Sequence, residues 1–144
     1  MIKTFVDAWD KNNKLLLKDF ETKCPESYQD ILEQLVNKVI NPYLEEKDLR
    51  VLNYENMTTI DNGDYQGTTI YIIFYETYQP DVEDYVFTHN YYGSCSGCDT
   101  FEGIYLNYDD LGNAIPTKEA AKEYWMIALH LLQNFKVLGS NEDI

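Results

Sequence analysis

Lysine and arginine are missing from Val51 to Thr117, a stretch of 67 residues that holds 11 of the chain's 25 Asp and Glu. Over all 144 residues the formal charge is −14. That balance argues against direct contact with a nucleic-acid backbone or an anionic membrane, both of which demand cations. Only three cysteines are present, an odd set that excludes a disulfide scaffold and fits reduced thiols. No apolar run approaches the roughly 18 residues of a membrane span, and the start from Met1 to Asp7 lacks the apolar stretch and cleavage site of a signal peptide. A cytoplasmic setting is expected. There is no phosphate-binding glycine loop followed by lysine, and the two histidines, His89 and His130, form no recognisable Ser-His-Asp or Cys-His arrangement. No enzyme signature emerges, and a non-enzymatic protein is expected.

What remains is an ordinary globular composition, 44% hydrophobic and 25% charged, which excludes disorder and low complexity as descriptions of the whole. The length suits one domain, 1–144. Phe5, Val6, Trp9, Leu16 and Phe20 share one side of a helix, with Asn12-Asn13 a weak spot that could split it into a pair. A second helix opens near Ser27, carries Ile31, Leu32, Leu35, Val36, Val39 and Ile40, and is expected to stop at Asn41-Pro42. A third is capped by Thr117, buries Ala121, Tyr124, Trp125, Ala128, Leu129, Leu132 and Phe135, and is expected to end at Gly139.

Between the helices the period becomes that of strands: Leu49 to Tyr54, Thr68 to Tyr75 and Tyr85 to Tyr92. Asp61-Asn62-Gly63-Asp64 and Gly67 supply turn residues for a hairpin between the first two. They do not fit the spacing of a calcium loop. Asp99-Thr100-Phe101-Glu102 has the form of a capping box and predicts a short helix toward Tyr108. The expectation is an α+β fold, an antiparallel sheet of three or more strands with N- and C-terminal helices packed on one face.

Ten of the 13 tyrosines fall in the base-free stretch. Tyrosine offers a rigid apolar body with a polar tip, and nearby carboxylates steer a basic partner toward it. A surface formed by Tyr65, Tyr78, Asp81, Glu83, Asp84, Tyr91, Tyr92 and Asp99 is therefore expected to bind a basic protein, with imitation of nucleic-acid phosphate spacing as one route. The bland alternative is that the tyrosines are good strand residues and the acids a solvated face.

The other candidate is the Cys95–Cys98 pair in Tyr91-Tyr92-Gly93-Ser94-Cys95-Ser96-Gly97-Cys98-Asp99. It permits redox exchange, but the surrounding acids are expected to raise the thiol pKa. It also permits zinc, for which His89, Cys95, Cys98 and Asp99 are the local donors and Cys24 or His130 more distant ones. One CxxC alone does not make a zinc signature, so no cofactor is expected. In the structural alternative the glycines permit a tight turn, Ser94 and Ser96 satisfy backbone groups, and the cysteines are small packing residues.

The succession Gly63-Asp64-Tyr65-Gln66-Gly67-Thr68, Thr77-Tyr78-Gln79-Pro80 and Tyr91 to Thr100 resembles uncharacterised small proteins of large tailed bacteriophages, which carry YQG, YQP and YGSCSGCDT blocks in that order. The resemblance covers roughly residues 60 to 105 and supplies no catalytic residues. It implies a phage protein acting in the host cytoplasm, where small acidic proteins bind and block a host or defence protein that handles nucleic acid. A virion or assembly component is the other reading of that class.

Overall fold

The computed structural model describes residues 2–95 and 97–139. Helix α1 (Lys3–Thr22) is followed by α2 (Tyr28–Leu35), a π-helical turn (Val36–Ile40) and α3 (Asn41–Glu46). Strands β1 (Leu52–Asp61), β2 (Gly67–Tyr75) and β3 (Tyr85–Tyr92) come next, with a 3-10 turn at Val82–Asp84. A short hairpin, β4 (Asn107–Tyr108) and β5 (Ala114–Ile115), leads into α4 (Lys118–Gln133) and a final strand β6 (Lys136–Val137). The main sheet is antiparallel with order β1-β2-β3-β6. This is the expected α+β architecture, and α1 packs along α4 beneath the sheet. Among the described residues no helix is long and apolar enough to cross a membrane.

Helix α1 runs unbroken through Asn12-Asn13, because both amides find partners. Asn12 is buried and donates to the Val39 carbonyl at 3.0 Å, while Asn13 donates back to the Trp9 carbonyl at 2.7 Å. The Asn13 carbonyl in turn accepts from Trp125 Nε1 at 3.0 Å, tying α1 to α4 beside the Trp9–Trp125 ring contact. Pro42 does not stop the second helical segment either. The wider turn at Val36–Ile40, where the Asn41 N–H reaches the Val36 carbonyl, precedes Pro42, which sits in the first turn of α3 and has no N–H to leave unpaired.

Asn41 is a joint rather than a breaker. Its amide donates to the Leu52 carbonyl at 3.0 Å and its oxygen accepts the Leu52 N–H at 2.9 Å, fixing where β1 leaves the helices. Both residues are buried. Asn41→Ala leaves that backbone pair unsatisfied, and a loss of about 2 kcal/mol is expected in urea unfolding; an unchanged midpoint would contradict the joint.

Thr117 caps α4 as anticipated, its hydroxyl accepting the Ala120 N–H at 3.1 Å. Gly139 does not end that helix. The helix finishes at Gln133, and Lys136–Val137 turns to pair with Val86 and Phe87 as a fourth strand. β1 likewise starts later than expected and extends to Asp61, across a register shift between Asn53 and Thr58.

Alternation along the strands gives the sheet two unlike faces. Tyr71 and Ile73 of β2, with their partners Thr88 and Val86 on β3, are buried against the helices, and Thr88 Oγ1 donates to the Leu131 carbonyl at 2.6 Å. The intervening residues point away from the helices. Register places Ile60, Ile70 and His89 in one row, Thr58, Ile72, Phe87 and Lys136 in the next, and Asn53, Phe74 and Tyr85 in a third.

Candidate functional site

The open face of the sheet is apolar at its centre. Ile70, Ile72, Phe74, Tyr85 and Phe87 are half-buried by one another and none belongs to the main core cluster. Phe74 and Tyr85 meet edge-on with centroids 6.0 Å apart. Ile60 is 47% and Tyr91 55% exposed. No carboxylate stands in the paired rows of this face.

The acids instead gather where strands turn. Asp61 and Asp64 lie at the β1–β2 turn, and Glu76, Asp81, Glu83 and Asp84 lie at the opposite end between β2 and β3. Tyr65 and Tyr78 are fully presented to solvent, but at these two opposite ends. The acidic, Tyr-rich sheet face read from the sequence is therefore an apolar and aromatic face with acidic ends. Proximity in the chain had stood in for proximity on a face, which alternation breaks.

Several expected contact residues are engaged within the fold. Asp84 pairs with Arg50 at 2.8 Å and accepts the Asp81 N–H at 2.9 Å. Those hydrogen bonds, the Asp81 amide first and the guanidinium next, hold its carboxyl below the usual range. Tyr92 turns to the helix side of the sheet and donates to Asp61 Oδ1 at 2.6 Å, which depresses the Asp61 carboxyl and pushes the phenol up to about 12. Tyr91, Asp81, Glu83, Tyr65 and Tyr78 remain exposed.

Asp99 is not a contact residue at all. It is 5% exposed and accepts four hydrogen bonds: Oδ1 from the Tyr28 hydroxyl at 2.7 Å and from the Phe101 and Glu102 amides at 2.9 and 3.1 Å, Oδ2 from the Gly93 amide at 2.8 Å. Burial pushes the Tyr28 phenol well above its ordinary range, so it stays a donor. The capping pattern Asp99-x-x-Glu102 thus forms its Asp99 side-chain bonds to the Phe101 and Glu102 amides, but the chain makes a turn there and the short helix expected toward Tyr108 does not follow. What sequence reasoning missed is that a buried carboxylate ties α2 to the loop after β3; the capping pattern was the available signal.

That carboxylate anchors the thiol loop. Gly93 approaches the Cys98 carbonyl so closely that a Cβ there would lie 2.1 Å from its oxygen. Cys98 N–H donates to the Cys95 carbonyl at 3.0 Å, and the two Sγ atoms are 2.7 Å apart, both exposed. Hydrogen bonds from Cys95 and then Ser94 hold the Cys98 thiol below its usual range, opposite to the rise expected from the acids. The adjacent Asp99 carboxylate is turned inward onto its four donors. Ser96 lies outside the described residues. His89 sits on the open sheet face, and among the described residues no three His, Cys, Asp or Glu side chains are grouped to hold a metal. The donor set proposed for zinc is not brought together.

Beyond β6 the outer edge of β3 borders a cleft of about 440 Å³, lined by His89, Asn90 and Tyr91 on the strand side and Ile127, His130 and Leu131 of α4 opposite. It continues the open face around that edge. No protein-family model matches this chain, and comparison with curated proteins and with solved structures finds no match.

Proposed function

We propose that this chain is a non-enzymatic binding protein that docks a basic, nucleic-acid-handling host or defence protein on the open face of its sheet and blocks it. The observation that carries this reading is the uncovered patch of Ile70, Ile72, Phe74, Tyr85 and Phe87, bounded at both ends of the sheet by exposed carboxylates. An apolar centre with a charged rim is the anatomy of a protein interface. The rim makes the partner basic: no lysine or arginine occurs from Val51 to Thr117, and Lys136 of β6 is the one cation in the rows of this face. Mimicry by rows of carboxylates is less well supported than contact by an apolar patch with electrostatic steering, since the acids occupy turns.

The test is capture from bacterial lysate, comparing the natural chain with an Ile60→Asp/Tyr91→Ala variant, both changes falling on exposed side chains. A basic protein is expected to be retained at low salt, to weaken about tenfold at high salt, and to bind the variant at least ~30-fold less tightly. Capture of the same proteins by both chains, insensitive to salt, would overturn the proposal.

A further inference from the structure

We propose that Cys95 and Cys98 are a reversible dithiol–disulfide couple that exchanges with small disulfides of the glutathione type. The geometry is that of a pair built to react with each other: the Sγ atoms are 2.7 Å apart, against roughly 2.05 Å in the bond they would form. Both are exposed, so a small disulfide reaches either sulfur. The turn holding them is fixed from below, by the Gly93–Asp99 hydrogen bond at 2.8 Å and the close approach of Gly93 to the Cys98 carbonyl. Oxidation therefore needs a small side-chain rotation and no refolding.

The two sulfurs are not equivalent. Cys98 Sγ accepts the Cys95 backbone N–H at 3.0 Å and lies 3.6 Å from Ser94 Oγ; as a thiol it can donate to the Cys95 carbonyl at 3.3 Å, and as a thiolate it is favoured by the amide and by the Ser94 hydroxyl turned to donate. Cys98 is the attacking group. Its thiolate displaces one glutathione thiolate from glutathione disulfide, forming a mixed disulfide on Cys98. Cys95, deprotonated, then attacks Cys98 Sγ and expels the second glutathione as thiolate, which with the first takes up the two protons lost from the cysteines. In sum two thiols are oxidised, one glutathione disulfide is reduced to two glutathiones, and one Cys95–Cys98 bond is formed. Cys24 is only partly exposed and burial pushes its thiol up, so it serves as the internal control.

The experiment equilibrates the full chain in glutathione buffers of increasing disulfide fraction, quenches with acid, alkylates after unfolding and reads the peptides by mass. At the oxidising end Cys95 and Cys98 should together lose two hydrogens and resist alkylation, with no glutathione retained and Cys24 still alkylated. Cys95→Ser should trap glutathione on Cys98, and Cys98→Ser should react at least ~10-fold more slowly. Alkylation of both cysteines in every buffer, glutathione retained on the natural chain, or faster reaction of Cys98→Ser than of Cys95→Ser would overturn the proposal.

Discussion

Asp99→Ala is expected to lower the unfolding free energy by about 4 kcal/mol, the largest effect of any single change outside the apolar core. The truncation strands the Tyr28 hydroxyl proton and the Gly93 and Glu102 amides at a site that is 5% exposed, while the Phe101 amide keeps the Tyr28 oxygen at 3.0 Å. A hydrogen bond to a charged group contributes about 1.5–3 kcal/mol, and a buried donor left without its acceptor costs about 1–3 kcal/mol, so several such losses reach this size even with partial rescue by water. For a chain of this length the melting temperature should fall on the order of 10 °C. Two graded variants separate the carboxylate's role from simple loss of volume. Asp99→Asn keeps the Oδ1 acceptor but turns an NH2 group toward the Gly93 amide, and about half the loss is expected. Tyr28→Phe removes one donor and about 1 kcal/mol. Equal stability of Asp99→Ala and Tyr28→Phe by calorimetry would contradict the four-fold role assigned to this carboxylate.

Gly93→Ala is the second. A Cβ at this position meets the Cys98 carbonyl oxygen at 2.1 Å and its carbon at 2.5 Å, both backbone atoms with no rotamer to escape by. The loop must move, at about 3 kcal/mol by the scale of overpacked interiors. Moving it also breaks the Gly93–Asp99 bond, so the costs of Gly93→Ala and Asp99→Asn should fall short of additive in the double variant. The displaced loop should further slow formation of the Cys95–Cys98 bond. Strict additivity, with thiol oxidation at the natural rate, would mean that the loop is not held by this contact.

Helices and strands were legible in the sequence because periodicity reports them directly: the alternation of β2 and β3 lies where the residues place it, and Ala121, Tyr124, Ala128 and Leu132 of α4 are buried as expected, although the buried side also takes in Ile127 and Leu131, leaves Trp125 and Leu129 half-buried, and Phe135 is buried beyond the helix end. Errors cluster where a local signal is overruled by a distant partner. Asn12-Asn13 reads as a weak point until Val39 and Trp125 arrive from other elements. Asn41-Pro42 reads as a stop until β1 takes up the Asn41 amide. β6 has two residues and no period to read, and its pairing with β3 comes only from the way α4 ends.

The site was less legible than the fold. An acidic, aromatic stretch of chain was plain, but strand alternation divides it, sending Tyr92 to the helix side and Tyr91 to the open side. Asp99 shared the composition of its neighbours and none of their exposure. The thiol pair was visible as a motif and the glycines beside it signalled a tight turn, whereas the hydrogen bonds made at Cys98 depend on the atomic geometry of that turn, which no sequence pattern carries.

The most direct test of the open sheet face as the binding surface is hydroxyl-radical footprinting of the complex with whatever basic protein is captured. Ile60, Phe74, Tyr85, Phe87 and Tyr91 should be protected on binding, with exposed residues of the helical layer such as Leu15 and Met126 labelled as in the free chain. Protection of Leu15 and Met126, with the sheet residues labelled as before, would contradict the account.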